Sequence, residues 1–284
     1  MQTIESPDLL KVTEGAGSGV RSLQLSRMAI GMVTRGEKII YYNDHSTTIG
    51  AGEVYLLQPG IHYVEHCPKD GCFEQIIFYL STELLQQIIV NISTTYAVSA
   101  QSNHLCERCR HHNFIVTAPT EMLAEFFYSV GRNFRLQTFR NNKINQQMKL
   151  SELVLIILSG EDNCLRSRLV SGADRYQTEF IQTVYNNIFN DISIEQLAEQ
   201  THRSLTAFKK EFYRQFDTSP HKWFVTQRLE RAKVLLLSTT KTISEIGSDC
   251  AFTNISHFIK LFKHHYHHTP AALRKKLREE SGAQ

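Results

Sequence analysis

The sequence predicts a two-domain α+β chain, in which a β-rich N-terminal domain ends in helices and an all-α C-terminal domain follows. Three observations carry this. Short runs of β-branched and aromatic residues recur between Gly, Pro, Asn and Asp from residue 20 to about 80, as in a sandwich or barrel. From about residue 83 the texture becomes helical. The stretch FKKEFYRQFDTSP (208–220) then recurs 50 residues later as FIKLFKHHYHHTP (258–270), which marks two similar supersecondary units.

A chain of 284 residues, 42% of them hydrophobic, can bury two cores. No run approaches the ~18 apolar residues of a membrane span. The opening MQTIESPDLLKVTEG has no basic region followed by an apolar stretch, so neither a signal peptide nor a membrane partner is expected. The expected location is the cytoplasm, where the six cysteines read as reduced thiols. The net charge of +3 is unevenly spread: from Asp174 onward 16 Lys and Arg face 12 Asp and Glu, against 15 and 16 before it. The C-terminal part is therefore the side that suits a polyanion.

In order along the chain, IGMVTRGEKIIYY (30–42) and TTIGAGEVYLLQPGIHYVEHC (47–67) read as strands, with Arg35-Gly36 and Asn43-Asp44 as hairpin turns. CPKDGC (67–72) reads as a further turn. STELLQQIIVNI and TEMLAEFFYSVGRNF read as helices, and in NNKINQQMKLSELVLIILSG the residues Ile144, Met148, Leu153 and Ile157 form an apolar stripe. The polar stretch after it, with two glycines, reads as a linker. The expected division is 1–160, a linker over 161–175, and 176–284.

Each C-terminal repeat carries the punctuation a helix pair needs. Ser193 with Gln196, and Thr242 with Glu245, spell capping boxes. Ser204 and Asn254 can cap the second helix of each unit, and Ser219-Pro220 and Thr269-Pro270 begin the helix after it. Ala198 and Gly247 place small residues where a second helix approaches. The histidines His264, His265, His267 and His268 align with Arg214, Gln215, Asp217 and Thr218, so the repeat does not depend on histidine there. They read as helix-end residues, with Asp217 and His267 at the left-handed position that closes each helix.

With both units in hand, the stretch TQRLERAKVLLLSTTKTISEIGSDCAFTNISHFIKLFKHHYHHTPAALRK resembles the AraC/XylS family of bacterial transcription regulators. The family usually has Ala at position 247, Gly at 251, and Gly at 217 and 267. The resemblance implies double-stranded DNA as partner, read in successive major grooves by two recognition helices (204–216 and 254–266) that a linker helix holds apart. With Phe208, Phe212, Phe258 and Phe262 facing the core, Thr206, Lys209 and Lys210 in the first helix should face DNA. In the second, the expectation falls on Ile255, Ser256, His257, Ile259 and Lys260. Lysines can bond guanine edges and isoleucines can touch a thymine methyl; contact with phosphate alone is the other reading. Trp223 and Arg228 read as packing and positioning residues.

The segment TTIGAGEVYLLQPGIHYVEH resembles a cupin-like sensor domain, so the N-terminal domain is expected as a cupin-like β-barrel followed by dimerisation helices that use Ile144, Met148, Leu153 and Ile157. The arrangement is similar to regulators of type III secretion, whose N-terminal domain answers to a protein partner. The resemblance implies a homodimeric activator acting on RNA polymerase, and leaves its signal open between a small-molecule effector and a regulatory protein. It implies no cofactor and no enzyme, since His62 and His66 do not complete the His-x-His, Glu and His set of cupin enzymes. HLCERCRHH (104–112) reads as a loop; the alternative is a metal or redox sensor using Cys106 and Cys109.

Overall fold

The computed structural model describes residues 8–42, 45–104, 106, 113–140, 142–173, 175–190 and 192–281. They form two compact units: Met1–Ser18 with Ser22–Gln182, and Gly19–Arg21 with Thr183–Gln284. Asn43-Asp44 and Cys109 lie outside the described residues.

The first unit is a cupin-like pair of sheets backed by helices. Its strands are β1 (Leu9–Glu14), β2 (Arg21–Leu25), β3 (Met28–Arg35), β4 (Glu37–Tyr42), β5 (His45–Ile49), β6 (Val54–Leu57), β7 (Gly60–Cys67), β8 (Phe73–Leu80) and β9 (Phe114–Thr117). One sheet has the order β1-β8-β3-β6-β9 and the other β2-β7-β4-β5. The strand β3 shows why the sequence is so apolar here. Ala29 and Val33 face the core between the sheets, while Met28, Ile30 and Met32 face the helical layer. A strand buried on both faces loses the polar alternation of an exposed one. Gly31 lies on the inner face, where an added Cβ would fall 2.4 Å from the Tyr55 hydroxyl. Gly36, at φ +76°, closes the expected Arg35-Gly36 turn, and a Cβ there would meet the Cys67 carbonyl at 2.8 Å.

The space between the sheets also holds polar groups. The Lys38 ammonium donates to Gln75 Oε1 (3.2 Å) and lies 4.3 Å from the centre of the Tyr55 ring. Tyr55 donates to the same oxygen at 2.6 Å. His66 bonds to Gln75 through Nε2 (3.3 Å) and to Glu14 through Nδ1 (3.0 Å). His62 is 2% exposed and bonds the Gln58 carbonyl at 2.8 Å, and burial pushes its pKa down to about 4. The two histidines thus enter separate hydrogen bonds.

The helical layer consists of α1 (Thr82–Tyr96), α2 (Glu121–Asn133), α3 (Gln137–Arg140), α4 (Lys143–Ser159) and α5 (Cys164–Gly172). Ser81, Thr120, Asn142 and Asn163 cap α1, α2, α4 and α5 through their side chains. Two expectations change here. The stretch 161–175 contains α5, and its Leu165 and Leu169 are buried in the same core as α4, so this segment belongs to the packed N-terminal unit. The stripe on α4 also divides. Leu153 and Ile157 are 0% and 5% exposed in the core, whereas Ile144 and Met148 are 68% and 66% exposed. The step of five from 148 to 153 turns a helix by about 140° beyond a full turn, which puts the two pairs on opposite sides.

A further helix, α6 (Arg175–Asn186), runs across the unit boundary at Gln182, and the second unit continues as α7 (Ile194–Gln200), α8 (Leu205–Phe216), α9 (Pro220–Ser238), α10 (Ile243–Asp249), α11 (Ile255–Tyr266) and α12 (Pro270–Ser281). Around α9 the aromatic residues gather. Trp223 lies 5.3 Å from Tyr185, 5.6 Å from Phe212 and 4.6 Å from Phe216, centre to centre. Further along α9, Leu229, Ala232 and Leu236 join Ile246, Phe258 and Phe262 in the second half's core.

Candidate nucleic-acid interface

The helix pairs α7–α8 and α10–α11 are built alike, from their caps outward. At the start of α7, Gln196 N donates to Ser193 Oγ (3.2 Å) and Ser193 N donates back to Gln196 Oε1 (2.9 Å). At α10 the same box joins Thr242 and Glu245, with distances of 3.2 and 2.7 Å. These bonds hold the Glu245 carboxyl below the usual carboxylate range. The turns match as well. After α7, His202 N donates to Glu199 O and Arg203 N to Ala198 O, both at 2.9 Å. After α10, Ala251 N donates to Ser248 O and Phe252 N to Gly247 O, again at 2.9 Å. Both are Schellman closures, and both put the left-handed backbone on a residue other than glycine: His202 at φ +54° and Ala251 at φ +58°. The sequence gives little warning of this at His202, because no glycine marks it.

These turns set the second helix of each pair across the first. Ser204 and Asn254 cap α8 and α11 by accepting from Ala207 N (3.3 Å) and His257 N (3.0 Å). Gly247 lets α11 come close, since a Cβ there would meet Ile255 Cδ1 at 2.7 Å and Phe258 Cδ1 at 3.2 Å. Phe208, Phe212, Phe258 and Phe262 are fully buried, so each helix turns one fixed face outward. Asp217 and His267 close α8 and α11 at φ +51° and +60°, the role expected of them at the helix ends. Thr269 Oγ1 caps α12 by accepting from Ala272 N at 3.2 Å, whereas Ser219 makes no side-chain cap on α9.

On the outward face of α8, Thr206, Lys209 and Lys210 are exposed. The Lys209 charge adds to the hydrogen bonds that hold the Glu195 carboxyl, on α7, below its usual range. On α11, Ser256, His257 and Lys260 are exposed, while Ile255 and Ile259 are half-buried. Ile259 packs against the core of the second half. Two further residues share the outward face. Tyr213, 60% exposed, and Lys263 lie one turn beyond Lys210 and Lys260 and match each other across the repeat. Their i+3 spacing is the signal that locates them.

The joining helix α9 positions both halves. Arg228 donates from Nε to Ile188 O (2.7 Å), from Nη2 to Asn190 O (3.0 Å) and from Nη1 to Ala251 O (3.2 Å). One guanidinium thus ties the segment before α7 to the turn before α11.

Comparison with known proteins agrees with both units. A profile of the helix-turn-helix domain matches residues 197–276, and a profile of the ExsA N-terminal regulatory domain matches residues 28–167. An uncharacterized HTH-type transcriptional regulator of Staphylococcus aureus (strain COL) is 22% identical over 254 residues, covering 88% of this chain and 32% of that protein. The xylose operon regulatory protein of Escherichia coli (strain K12) is 29% identical over 91 residues, which cover 32% of this chain and 23% of that protein. The chain thus spans about a third or less of the length of these curated relatives. A 1.65 Å structure of ToxT from Vibrio cholerae resembles it with a TM-score of 0.51 at 11% identity, covering 94% of this chain and 98% of that one. That likeness concerns the fold. The chain thus combines a region similar to the ExsA N-terminal regulatory domain with an AraC-type helix-turn-helix region, and it resembles HTH-type transcriptional regulators along most of its length.

Proposed function

We propose that the chain is a sequence-specific DNA-binding activator that reads two successive major-groove segments with α8 and α11. The observation that carries this is the matched outward face of the two helices. Thr206, Lys210 and Tyr213 on α8 correspond to Ser256, Lys260 and Lys263 on α11, above buried phenylalanines and left-handed turns of the same type. Grooves on one side of B-DNA recur about every 34 Å, so two such helices on one joining helix can enter neighbouring turns. His257 and Lys209 flank this face, and Ile255 and Ile259, half-buried, set the pose of α11 and can offer an edge to a thymine methyl.

The N-terminal unit supplies dimerisation and control. Ile144 and Met148 are the exposed part of the α4 stripe and provide the contact with a second copy, while Leu153 and Ile157 support them from within. The regulating signal is a small-molecule effector or a regulatory protein acting on this regulatory-type domain, and the output is contact with RNA polymerase. No helix among the described residues is long and apolar enough to cross a membrane.

The test is selection from a genomic DNA library by the full chain, followed by Lys210→Ala and Lys260→Ala on the enriched site. A base contact costs about 1–3 kcal/mol and relaxes preference at one position in one half-site. A uniform loss with a shallower salt dependence would make that lysine a phosphate contact. Failure of the full chain to enrich any sequence would refute the reading.

A further inference from the structure

Residues 97–104 and 106, after α1, lie in neither helix nor strand, and two of them meet a residue of α5 to bring three metal-ligating side chains together. His104 Nε2 lies 3.2 Å from Cys164 Sγ, and Cys106 Sγ lies 3.4 Å from the same sulfur. The three ligand atoms all fall within 4.8 Å of one another, on segments about 60 residues apart in sequence. None of the three is exposed beyond the half-buried range. The cysteines are not joined in a disulfide.

We propose that His104, Cys106 and Cys164 bind one Zn²⁺ and that the metal fastens the 99–106 segment to the start of α5. The distances suit this ion. With Zn–S near 2.3 Å and Zn–N near 2.0–2.1 Å, tetrahedral ligation puts neighbouring ligand atoms roughly 3.5–3.8 Å apart, within a few tenths of the two spacings to Cys164. The charges balance: two thiolates and a neutral imidazole around a divalent cation give a neutral site. Binding converts two thiols to thiolates and releases two protons to solvent. Cys164 is the first residue of α5, where the helix amides favour a thiolate. Among the described residues no further ligand joins the three, and water takes the fourth tetrahedral position.

Protein hydrogen bonds already hold the ligand-bearing segment in place. The Asp162 carboxylate accepts from the Ser102 hydroxyl and from Asn103 N (2.9 Å). Arg166 donates to Ser99 O at 2.9 Å and to Gly160 O at 3.1 Å, and Ser167 Oγ donates to His104 O at 3.4 Å. Little ordering remains for the metal to impose, which favours tight binding. Cys109, the second sulfur of the Cys-x-x-Cys reading, lies outside the described residues; here the second sulfur is Cys164 on α5.

The test uses the full chain, purified with a phosphine reductant, stripped with a chelator and titrated with Co²⁺ and then Zn²⁺. About one Co²⁺ per chain should give intense visible bands of a tetrahedral site and near-ultraviolet thiolate charge transfer, both bleached by about one equivalent of Zn²⁺. Cys106→Ser and Cys164→Ser should each remove half or more of the charge transfer, while Cys72→Ser, outside the cluster, should leave it intact. Zinc should also slow proteolysis within 99–106 in the wild type. Absence of the cobalt spectrum in the reduced wild type would overturn the proposal. So would an unchanged spectrum after Cys164→Ser, equal damage from Cys72→Ser, or a Cys106–Cys164 disulfide in the metal-free protein as isolated.

Discussion

Replacing Ala251 by glycine should stabilise the second unit. Ala251 holds φ +58° at the Schellman closure of α10, a conformation in which its Cβ crowds the following carbonyl. That crowding costs an L-residue about 1–2 kcal/mol. Glycine removes it but gives back roughly 0.4–1 kcal/mol through the freer unfolded chain. The net gain is about 0.5–1 kcal/mol, or roughly 3–6 °C in Tm for a unit of this size. The protein contains one tryptophan, Trp223 on α9, so its fluorescence during urea unfolding reports on this unit. Ala271→Gly is the control: Ala271 is exposed within α12, and glycine there should cost about 0.5–1 kcal/mol. The two substitutions should therefore move the midpoint in opposite directions. A lower midpoint for Ala251→Gly would refute the strain argument and mean that its methyl contributes more than its backbone costs.

Three other outcomes are expected. His62 has its pKa lowered to about 4 by burial, with the Lys38 charge adding to the effect, against about 6.5 in an unfolded chain. Between those values the unfolded state binds the extra proton, so the N-terminal unit is fully stable above about pH 6.5 and loses up to about 3 kcal/mol as pH falls toward 4. His62→Gln should flatten that slope in denaturation followed by far-ultraviolet dichroism, and an unchanged slope would count against it. On α4, Met148→Glu should weaken self-association in sedimentation without lowering Tm, whereas Leu153→Ala should cost about 2–5 kcal/mol of stability; matching effects on both properties would remove the two-face reading. Thr242→Ala deletes one half of a capping box and should lower the urea midpoint of the second unit by about 1 kcal/mol equivalent, with Ser a near-silent replacement.

The C-terminal unit was legible because its signals are local. Capping boxes, buried phenylalanines and left-handed C-caps are written within a few residues of where they act, and each appears twice. The N-terminal unit is read less well where partners are distant. The helix α5 escaped because NCLRSRLVSG has few apolar residues and no long stripe, yet Leu165 and Leu169 are buried, with Cys164 and Val170 packed beside them, and these anchor it. Its cap, Asn163, looks like any loop asparagine until Arg166 N is found donating to it at 3.1 Å. The α4 stripe was misread for a different reason: an apolar residue on each side of a helix satisfies a loose count, and only the angle between 148 and 153 separates them. The barrel interior lay furthest from reach. Lys38, Tyr55, His66 and Gln75 meet through strand register, as in the pairing of Lys38 with His66 across β4 and β7, and no spacing along one strand reveals it.

The three carbonyls held by Arg228 have a consequence for operators. Because one planar, five-donor group grips both the segment before α7 and the turn before α11, the two reading helices cannot pivot separately about α9. Under the proposed function the protein works as a caliper whose jaws are set at folding, so a usable pair of half-sites must keep one fixed base-pair interval. Inserting half a helical turn of DNA between them would leave either half-site intact and still abolish joint recognition.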